Sequence, residues 1–266
     1  MQDRYVGDVG DYGKYGLLRV LAQATGPNPL RLGVVWCLVP GEIHNQDGKH
    51  VSYLRDERRF RKCDPELFES LRSMIGDPAG TRRESKRAVA AIESSSILPA
   101  NTIFYNAALE YTCAQSLQTR PGVREGWLRA ALDCTAKAEI VFIDPDNGIE
   151  CSSIRQRSLR GPKFAFGDDI ARFAAPARGQ SLVIYHHTNR RKASSSNMDS
   201  SYEQLLQLQG EFRKRYPGSS ISALIYTRGT RRAFFVVANG SHRTILDDRI
   251  IHLFETPWRE HFIRVT

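Results

Sequence analysis

Short apolar runs alternate along the chain with segments of helical periodicity. Three runs end in polar or turn-forming residues, as expected of strands buried on both faces of a parallel sheet: 32–39, 140–143 and 181–185. A shorter strand is expected at 102–105. Apolar residues recur at helical spacing in the segments 17–24, 51–73, 84–93, 124–137, 168–174 and 202–216. This alternation predicts an α/β fold with a doubly wound, mostly parallel, Rossmann-like sheet.

The C-terminal part of the chain departs from simple alternation. The apolar runs 221–226 and 232–238 are separated by five residues, a spacing that predicts an antiparallel hairpin. Residues 50–98 are polar and basic, with Asp64 as a helix N-cap before Pro65, and predict a helical insertion. A chain of 266 residues can bury one large core, so we expect a single α/β domain over 1–266.

Composition narrows the class of partner. The formal net charge is +9, from 38 Lys and Arg against 29 Asp and Glu, and arginine falls in clusters at 55–62, 82–87, 155–163, 190–192 and 228–232. Guanidinium groups bind phosphate well, so a nucleic acid is the expected partner. The five cysteines are scattered without a Cys-x-x-Cys pair, which argues against a disulfide framework and a cysteine zinc site.

The hydropathy pattern also bears on location. No apolar run approaches the ~18 residues that span a bilayer, so a membrane-spanning protein is not expected. The opening Met-Gln-Asp-Arg-Tyr lacks the apolar core of a signal peptide, and a cytoplasmic location is therefore expected. Nothing in the sequence indicates an oligomeric state.

The strongest candidate site follows the apolar run 140–143. Asp144, Pro145, Asp146 and Asn147 come directly after it and are followed by Gly148. Polar side chains at the carboxyl end of a buried parallel strand lie where open α/β sheets bind ligands. Pro145 fixes its own φ and keeps Asp144 extended, so the strand ends there. The alternative is a strand-ending turn of ordinary composition.

A second candidate site precedes the first predicted helix. Glycine recurs there every three residues, at Gly7, Gly10, Gly13 and Gly16. This spacing predicts a backbone that can bend tightly around a ligand, with Asp8, Asp11 and Lys14 beside it. The alternatives are a flexible segment leading into a helix with Asp11 as its N-cap, or an Asp11–Lys14 pair one helical turn apart.

Histidines form two weaker candidates. His186 and His187 end the predicted strand 181–185, and because adjacent strand residues point to opposite faces, at most one faces a site. Such a histidine serves as a general base, a phosphate contact or a metal ligand, or it simply bonds the backbone. His44, Asp47 and His50 share a polar loop, but their spacing fits no strong zinc pattern.

Two motifs and the order of elements resemble class I S-adenosylmethionine-dependent methyltransferases, whose last strand inserts antiparallel. Residues 7–14, Gly-Asp-Val-Gly-Asp-Tyr-Gly-Lys, are similar to the Gly-Asn-x-x-Asp-x-x-Lys motif of bacterial large-subunit ribosomal RNA adenine-N6 methyltransferases. Residues 144–147 stand where that family has Asp-Pro-Pro-Tyr. The resemblance implies a methyltransferase that binds S-adenosylmethionine, acts on nucleic acid and places the strand-end motif opposite the glycine-dense segment.

The predicted site residues follow from these patterns. The expected catalytic residues are Asp144, Pro145, Asp146, Asn147 and His186, and the expected cofactor-binding residues are Gly7, Asp8, Asp11, Lys14 and Trp36. Two positions depart from the family. Asn147 replaces the aromatic residue that would stack on the base, and the segment after the first strand has only Gly41 in place of a glycine-rich turn.

These departures leave two alternatives. One is a metal-dependent nuclease or phosphodiesterase in which Asp8, Asp11, Asp144 and Asp146 bind Mg²⁺ or Mn²⁺ and His186 or His187 transfers a proton. The other is a nucleic-acid-binding protein without catalytic activity on a degenerate methyltransferase fold. A methyl donor or a metal at the strand-end site would separate the three hypotheses.

Overall fold

A computed structural model describes residues 1–23, 28–41, 50–76, 87–188 and 200–266. Within these residues the strands are β1 (Leu32–Val35), β2 (Ile103–Tyr105), β3 (Ile140–Ile143), β4 (Gly148–Ile149), β5 (Phe164–Ala165), β6 (Ser181–His187), β7 (Ser220–Tyr226), β8 (Arg232–Ala238) and β9 (Phe262–Val265). The α-helices are α1 (Val9–Ala22), α2 (Glu57–Phe60), α3 (Pro65–Ile75), α4 (Val89–Glu93), α5 (Arg120–Cys134), α6 (Gly167–Phe173), α7 (Ser200–Arg215) and α8 (Arg243–Glu255). The predicted α/β class is confirmed.

Seven strands form one mixed, mostly parallel sheet in the order β2-β1-β3-β6-β8-β7-β9. β2, β1, β3 and β6 are parallel, whereas β8 is antiparallel to both neighbours and β9 is antiparallel to β7. The predicted hairpin is therefore present, and its second strand lies between β6 and β7. β4 and β5 form a separate parallel pair beside the sheet.

The strand order creates a crevice at one edge of the sheet. The chain leaves β1 for β2 on one side and later returns to β3 on the other side of β1. Segments that follow two such strands diverge, and this topological switch point is where open α/β sheets bind ligands. Asp144 follows β3 immediately, so the fold places the predicted strand-end motif at the crevice.

The sheet is covered on both faces. Ile140 and Phe142 pack into a core shared with α1, α3 and α8, while Val141 and Ile143 pack into a core shared with α5, α6 and α7. All four residues of β3 are buried, as the unbroken apolar run predicts. Burial on both faces holds β3 rigidly, which fixes the position of the polar residues that follow it.

The glycine-dense segment is helical, so the prediction that it bends around a ligand and that the helix begins at Leu17 was wrong. α1 begins at Val9, and Asp8 rather than Asp11 is its N-cap. Three of its glycines lie on one face. A Cβ at Gly10 would lie 1.9 Å from the side chain of Arg232. A Cβ at Gly13 would lie 2.5 Å from the ring of Tyr226, and one at Gly16 would lie 2.2 Å from the ring of Trp258. Close packing, rather than chain flexibility, explains these glycines.

Other element boundaries differ more modestly. The predicted helix 51–73 is broken into a 3-10 turn (Ser52–Arg55), α2 and α3, and α3 has the predicted Asp64 cap and Pro65 start. The first strand ends at Val35 rather than at residue 39. α8 and β9 had no predicted counterpart. Among the described residues, no helix is both long and apolar enough to cross a membrane.

Candidate functional site

A cavity of about 180 Å³ lies at the crevice beyond β1 and β3. It brings together both predicted motifs, since its lining includes Asp8, Asp11, Lys14, Asp144, Pro145, Asp146 and Asn147. The candidate histidines His50 and His187 also line it, and five residues that the sequence did not single out as site residues complete the wall: Met1, Tyr5, Tyr185, Thr230 and Arg232. The cavity is therefore built by the start of α1, the segment after β3, the end of β6 and the start of β8.

Lys14 joins the two motifs directly. Its Nζ lies 2.8 Å from Oδ1 of Asp11 and 2.8 Å from Oδ2 of Asp144. Lys14 and Asp144 are 130 positions apart in the sequence. All three side chains are buried, with exposed fractions of 4% for Lys14, 3% for Asp11 and 2% for Asp144. The attraction between opposite charges is larger where water is excluded, so Lys14 holds both carboxylates in fixed positions.

The protonation of this group follows from its surroundings. Burial alone would lower the pKa of Lys14, but the carboxylates of Asp11 and Asp144 outweigh it and raise that pKa above the ordinary value. Burial raises the pKa of Asp144, and Lys14 offsets only part of this effect. Lys14 is thus held in its charged form, and the Asp144 carboxylate is more basic than that of an ordinary, exposed aspartate.

A second ion pair completes the buried network. Nη2 of Arg232 lies 2.8 Å from Oδ2 of Asp8, whose Oδ1 accepts a hydrogen bond from the backbone N–H of Asp11 at 2.9 Å. Burial raises the pKa of Asp8, although Arg232 opposes this. Four carboxylates, those of Asp8, Asp11, Asp144 and Asp146, therefore share the cavity wall with three cations, Lys14, Arg232 and the Met1 ammonium, a formal charge of −1. Such a site suits a ligand that carries positive charge.

The remaining residues of the strand-end motif line the rim. Oδ2 of Asp146 accepts a hydrogen bond from Nε2 of Gln2 at 2.9 Å and lies 3.5 Å from Nζ of Lys163. The backbone N–H of Asn147 donates to the carbonyl of Lys163 at 2.8 Å. Gly148 has φ +95°, and a Cβ there would lie 2.6 Å from the backbone nitrogen of His187. The motif is thus pressed against the end of β6.

The adjacent histidines have different environments. The ring of His186 is buried on the side away from the cavity, where Nδ1 accepts a hydrogen bond from the N–H of Ile149 at 3.1 Å and the ring packs near Phe235. Burial, followed by the neighbouring His187, lowers the pKa of His186 to about 4, so the ring is neutral. His187 lines the cavity. The structure brings His187, and not His186, to the site.

Two predicted cofactor-binding residues also lie outside the cavity wall. Trp36 is fully buried, stacks on Phe104 and donates from Nε1 to Oε1 of Glu93 at 3.0 Å. Gly7 has φ +77° and donates its N–H to Oδ2 of Asp11 at 3.0 Å. Gly7 therefore supports the site through Asp11, whereas Trp36 belongs to the core.

The carboxylates do not form a metal site in the described residues. No group of three or more His, Cys, Asp or Glu side chains is arranged there to hold a metal ion. The carboxylates of Asp11, Asp144 and Asp8 already pair with Lys14 and Arg232, so they are engaged by side-chain cations rather than directed together at one point. His44 and Asp47 lie outside the described residues.

A second cavity, of about 170 Å³, lies at the same edge of the sheet. It lies between Val39 and Pro40 after β1, residues 109–111 after β2, and the segment 159–163. Lys163 borders it and also pairs with Asp146 of the first cavity, so the two cavities are neighbours. No motif in the sequence indicates this second cavity.

No family model matches the chain, and no curated protein matches it. The features that matter are a buried Lys14–Asp144 pair, a net negative wall and two neighbouring cavities at the topological switch point.

Proposed function

We propose that the protein is a methyltransferase that uses S-adenosylmethionine and modifies a nitrogen atom of a nucleic-acid base. The observation that carries this proposal is the Lys14–Asp144 contact at 2.8 Å. It joins the Gly-Asp-x-x-Asp-x-x-Lys motif to the Asp-Pro motif, the two sequence features that resemble adenine-N6 methyltransferases. The place of β8, antiparallel between β6 and β7, supports the same Rossmann-like class I arrangement.

The cavities suit such a methyl donor. S-adenosylmethionine supplies an electrophilic methyl group on a positively charged sulfur: the base nitrogen would form the new N–CH3 bond as the S–CH3 bond breaks, and the neutral thioether S-adenosylhomocysteine would leave. The formal charge of −1 on the cavity wall favours a positively charged ligand, and the second cavity gives room for its uncharged part. Residues 36–41, which follow β1, contain a single glycine, Gly41. Side chains, rather than a glycine-rich turn, would therefore hold the donor.

Asp144 and Pro145 would hold the methyl acceptor. In this proposal a base nitrogen donates its N–H to the Asp144 carboxylate or the Pro145 carbonyl. Because burial raises the pKa of Asp144, this carboxylate is a good acceptor for the proton that the nitrogen loses. Lys14 keeps it in place, so catalysis is mostly positioning. Tyr5 and Tyr185 line the cavity and supply the aromatic surface that Asn147 lacks.

The test combines donor binding with methyl transfer. Calorimetry should show that wild-type protein binds S-adenosylmethionine, and transfer of a labelled methyl group to RNA or DNA should follow. Asp144→Asn should bind the donor within about threefold of wild type and transfer the methyl group about 100-fold more slowly. Asp168→Asn, a matched change at an exposed aspartate, should alter neither. A wild-type protein that binds no donor contradicts the proposal.

A metal-dependent phosphodiesterase is the second candidate, because four aspartates line one cavity. It predicts cleavage of RNA or DNA that requires Mn²⁺ or Mg²⁺ and is lost in Asp144→Asn. The pairing of three of these aspartates with Lys14 and Arg232 favours the methyltransferase. If the protein binds nucleic acid but neither methylates nor cleaves it, the binding protein without catalytic activity is the correct alternative.

A further inference from the structure

The segment between β4 and β5 begins and ends at the candidate site. β4 starts directly after Asn147, and β5 starts directly after Lys163, which pairs with Asp146. The two short strands pair in parallel, with Gly148 opposite Phe164. Residues 150–163, here called the basic loop, are therefore attached at both ends to the rim of the cavity.

The basic loop is held in place by two buried arginines of α5. Nη1 of Arg120 donates to the carbonyl of Arg157 at 2.9 Å. Arg124 donates from Nη1 to the carbonyl of Gly161 at 3.4 Å and from Nη2 to that of Phe164 at 3.0 Å. Both arginines are buried, at 7% and 5% exposure, respectively. A loop that is already ordered loses little conformational entropy when it binds a partner.

The arginines of the loop itself point to solvent. Arg155, Arg157 and Arg160 are all exposed, and none of them takes part in an ion pair among the described residues. The loop has one acidic residue, Glu150, whose Oε1 accepts a hydrogen bond from the backbone N–H of Gly167 at 2.7 Å, against Arg155, Arg157, Arg160 and Lys163. The loop thus presents a charge of +3 beside a cavity whose wall is negative. Guanidinium groups that are exposed and uncompensated suit the phosphates of a nucleic-acid backbone.

We propose that the basic loop is the surface that docks an unpaired nucleic-acid strand, with Arg155, Arg157 and Arg160 on its phosphates and one base turned into the cavity. The side chain of Asp144 is only 2% exposed, so a base must leave its stack to reach it, and an unpaired strand presents such a base without the free-energy cost of breaking a base pair. The phosphate contacts would position the strand, and the cavity would select the base. This inference rests on the proposed function for the identity of the site.

The experiment measures binding of fluorescent oligonucleotides by anisotropy at several salt concentrations. The probes are a single-stranded RNA, a single-stranded DNA of the same sequence, and the duplex. The variant is Arg155→Gln, Arg157→Gln and Arg160→Gln combined. The control removes three exposed cations that lie outside the basic loop and line neither cavity, with Arg213→Gln, Lys214→Gln and Arg243→Gln combined.

We expect the loop variant to raise the Kd for single strands about 10-fold to 100-fold near 0.1 M salt and to reduce the salt slope by about 2, since each lost phosphate contact removes about 0.7. The control should stay within about twofold of wild type. The preferred probe tells RNA from DNA. The inference would be overturned by an equal loss of affinity in both variants, or by duplex binding as tight as single-strand binding. It would also be overturned if a polyglutamate peptide displaced the oligonucleotides from the wild type and the loop variant lost affinity for that peptide.

Donor binding separates this inference from the proposed function. If the wild type binds S-adenosylmethionine and methylates RNA or DNA, the loop variant should keep the donor Kd and raise the KM for the nucleic acid about 10-fold or more. An unchanged KM overturns the docking surface and leaves the methyltransferase intact. If the wild type binds no donor but the loop variant still has a lower affinity for nucleic acid, the methyltransferase proposal is overturned and the docking surface stands.

Discussion

α1 and α5 are helices of 14 and 15 residues that contain the same kinds of residue and use them differently. In α1, the glycines let large side chains lie against the helix, as Gly13 does for the ring of Tyr226. In α5, a Cβ at Gly122 or Gly126 would meet nothing within 4 Å. Glycine is thus required for close packing in α1, whereas no contact explains the glycines of α5.

The buried cations of the two helices differ in the same way. Lys14 of α1 binds carboxylate side chains inside the cavity, whereas Arg120 and Arg124 of α5 bind backbone carbonyls of the basic loop. Arg124 also pairs with Asp169. α1 therefore presents charged groups to the cavity, and α5 holds in place the loop beside that cavity. The comparison shows that a buried cation indicates a site only when its partners line a cavity.

The largest expected effect on stability comes from replacing Lys14 of α1. Lys14→Met leaves Asp11 and Asp144 buried without their cation, and should lower the free energy of unfolding by about 3–5 kcal/mol. Urea denaturation measures it. Adding Asp144→Asn should restore part of the loss, because one unpaired charge is then removed. A Lys14→Met protein as stable as wild type would show that the ion pairs do not form.

The matching change in α5 is Arg124→Met. It leaves Asp169 and the carbonyls of Gly161 and Phe164 without their donors, and should cost about 2–3 kcal/mol. Hydrogen exchange adds a local measurement: amides of residues 155–165 should exchange faster in Arg124→Met than in wild type. Lys14→Met serves as the control, because it makes no contact with the loop and should leave their protection relative to global stability unchanged.

Alanine at the glycines should act in opposite directions in the two helices. Gly13→Ala places a Cβ within 2.5 Å of the Tyr226 ring and should destabilise the protein by about 1–3 kcal/mol. Gly126→Ala adds a Cβ in open space within a helix and should stabilise it by about 0.5–1 kcal/mol. Thermal or urea unfolding of both variants is sufficient. Two changes of the same sign would contradict the assignment of the glycine face.

The smallest effect is on the pH dependence of stability. Burial raises the pKa of Asp8 in the folded protein, so the folded state gains stability relative to Asp8→Asn as pH falls from neutral through that raised pKa. Arg172 lowers the pKa of Glu125 on α5, so its contribution is present above the ordinary glutamate pKa and is lost as pH falls. Unfolding of wild type, Asp8→Asn and Glu125→Gln between pH 7 and 3 should therefore give differences of opposite slope.

Much of the site was predictable because its motifs are local. Asp144 follows an unbroken apolar strand, and Pro145 ends it, so the carboxylate had to lie at the edge of a sheet. Asp8, Asp11 and Lys14 recur at helical spacing, although the glycines among them concealed the helix. Arg232 could not be predicted as a partner of Asp8, because 224 residues separate them and a single sequence carries no record of that contact.

The sequence by itself determined the α/β alternation, β3 and the hairpin, because apolar runs, turn residues and caps act within a few residues. Only the tertiary structure decided which side chains meet. It turned His187 rather than His186 toward the cavity, made Gly10, Gly13 and Gly16 a packing face and brought Lys14 to Asp144. The reason is physical, since these choices depend on the strand order and on burial of distant groups together, and neither is encoded in local spacing.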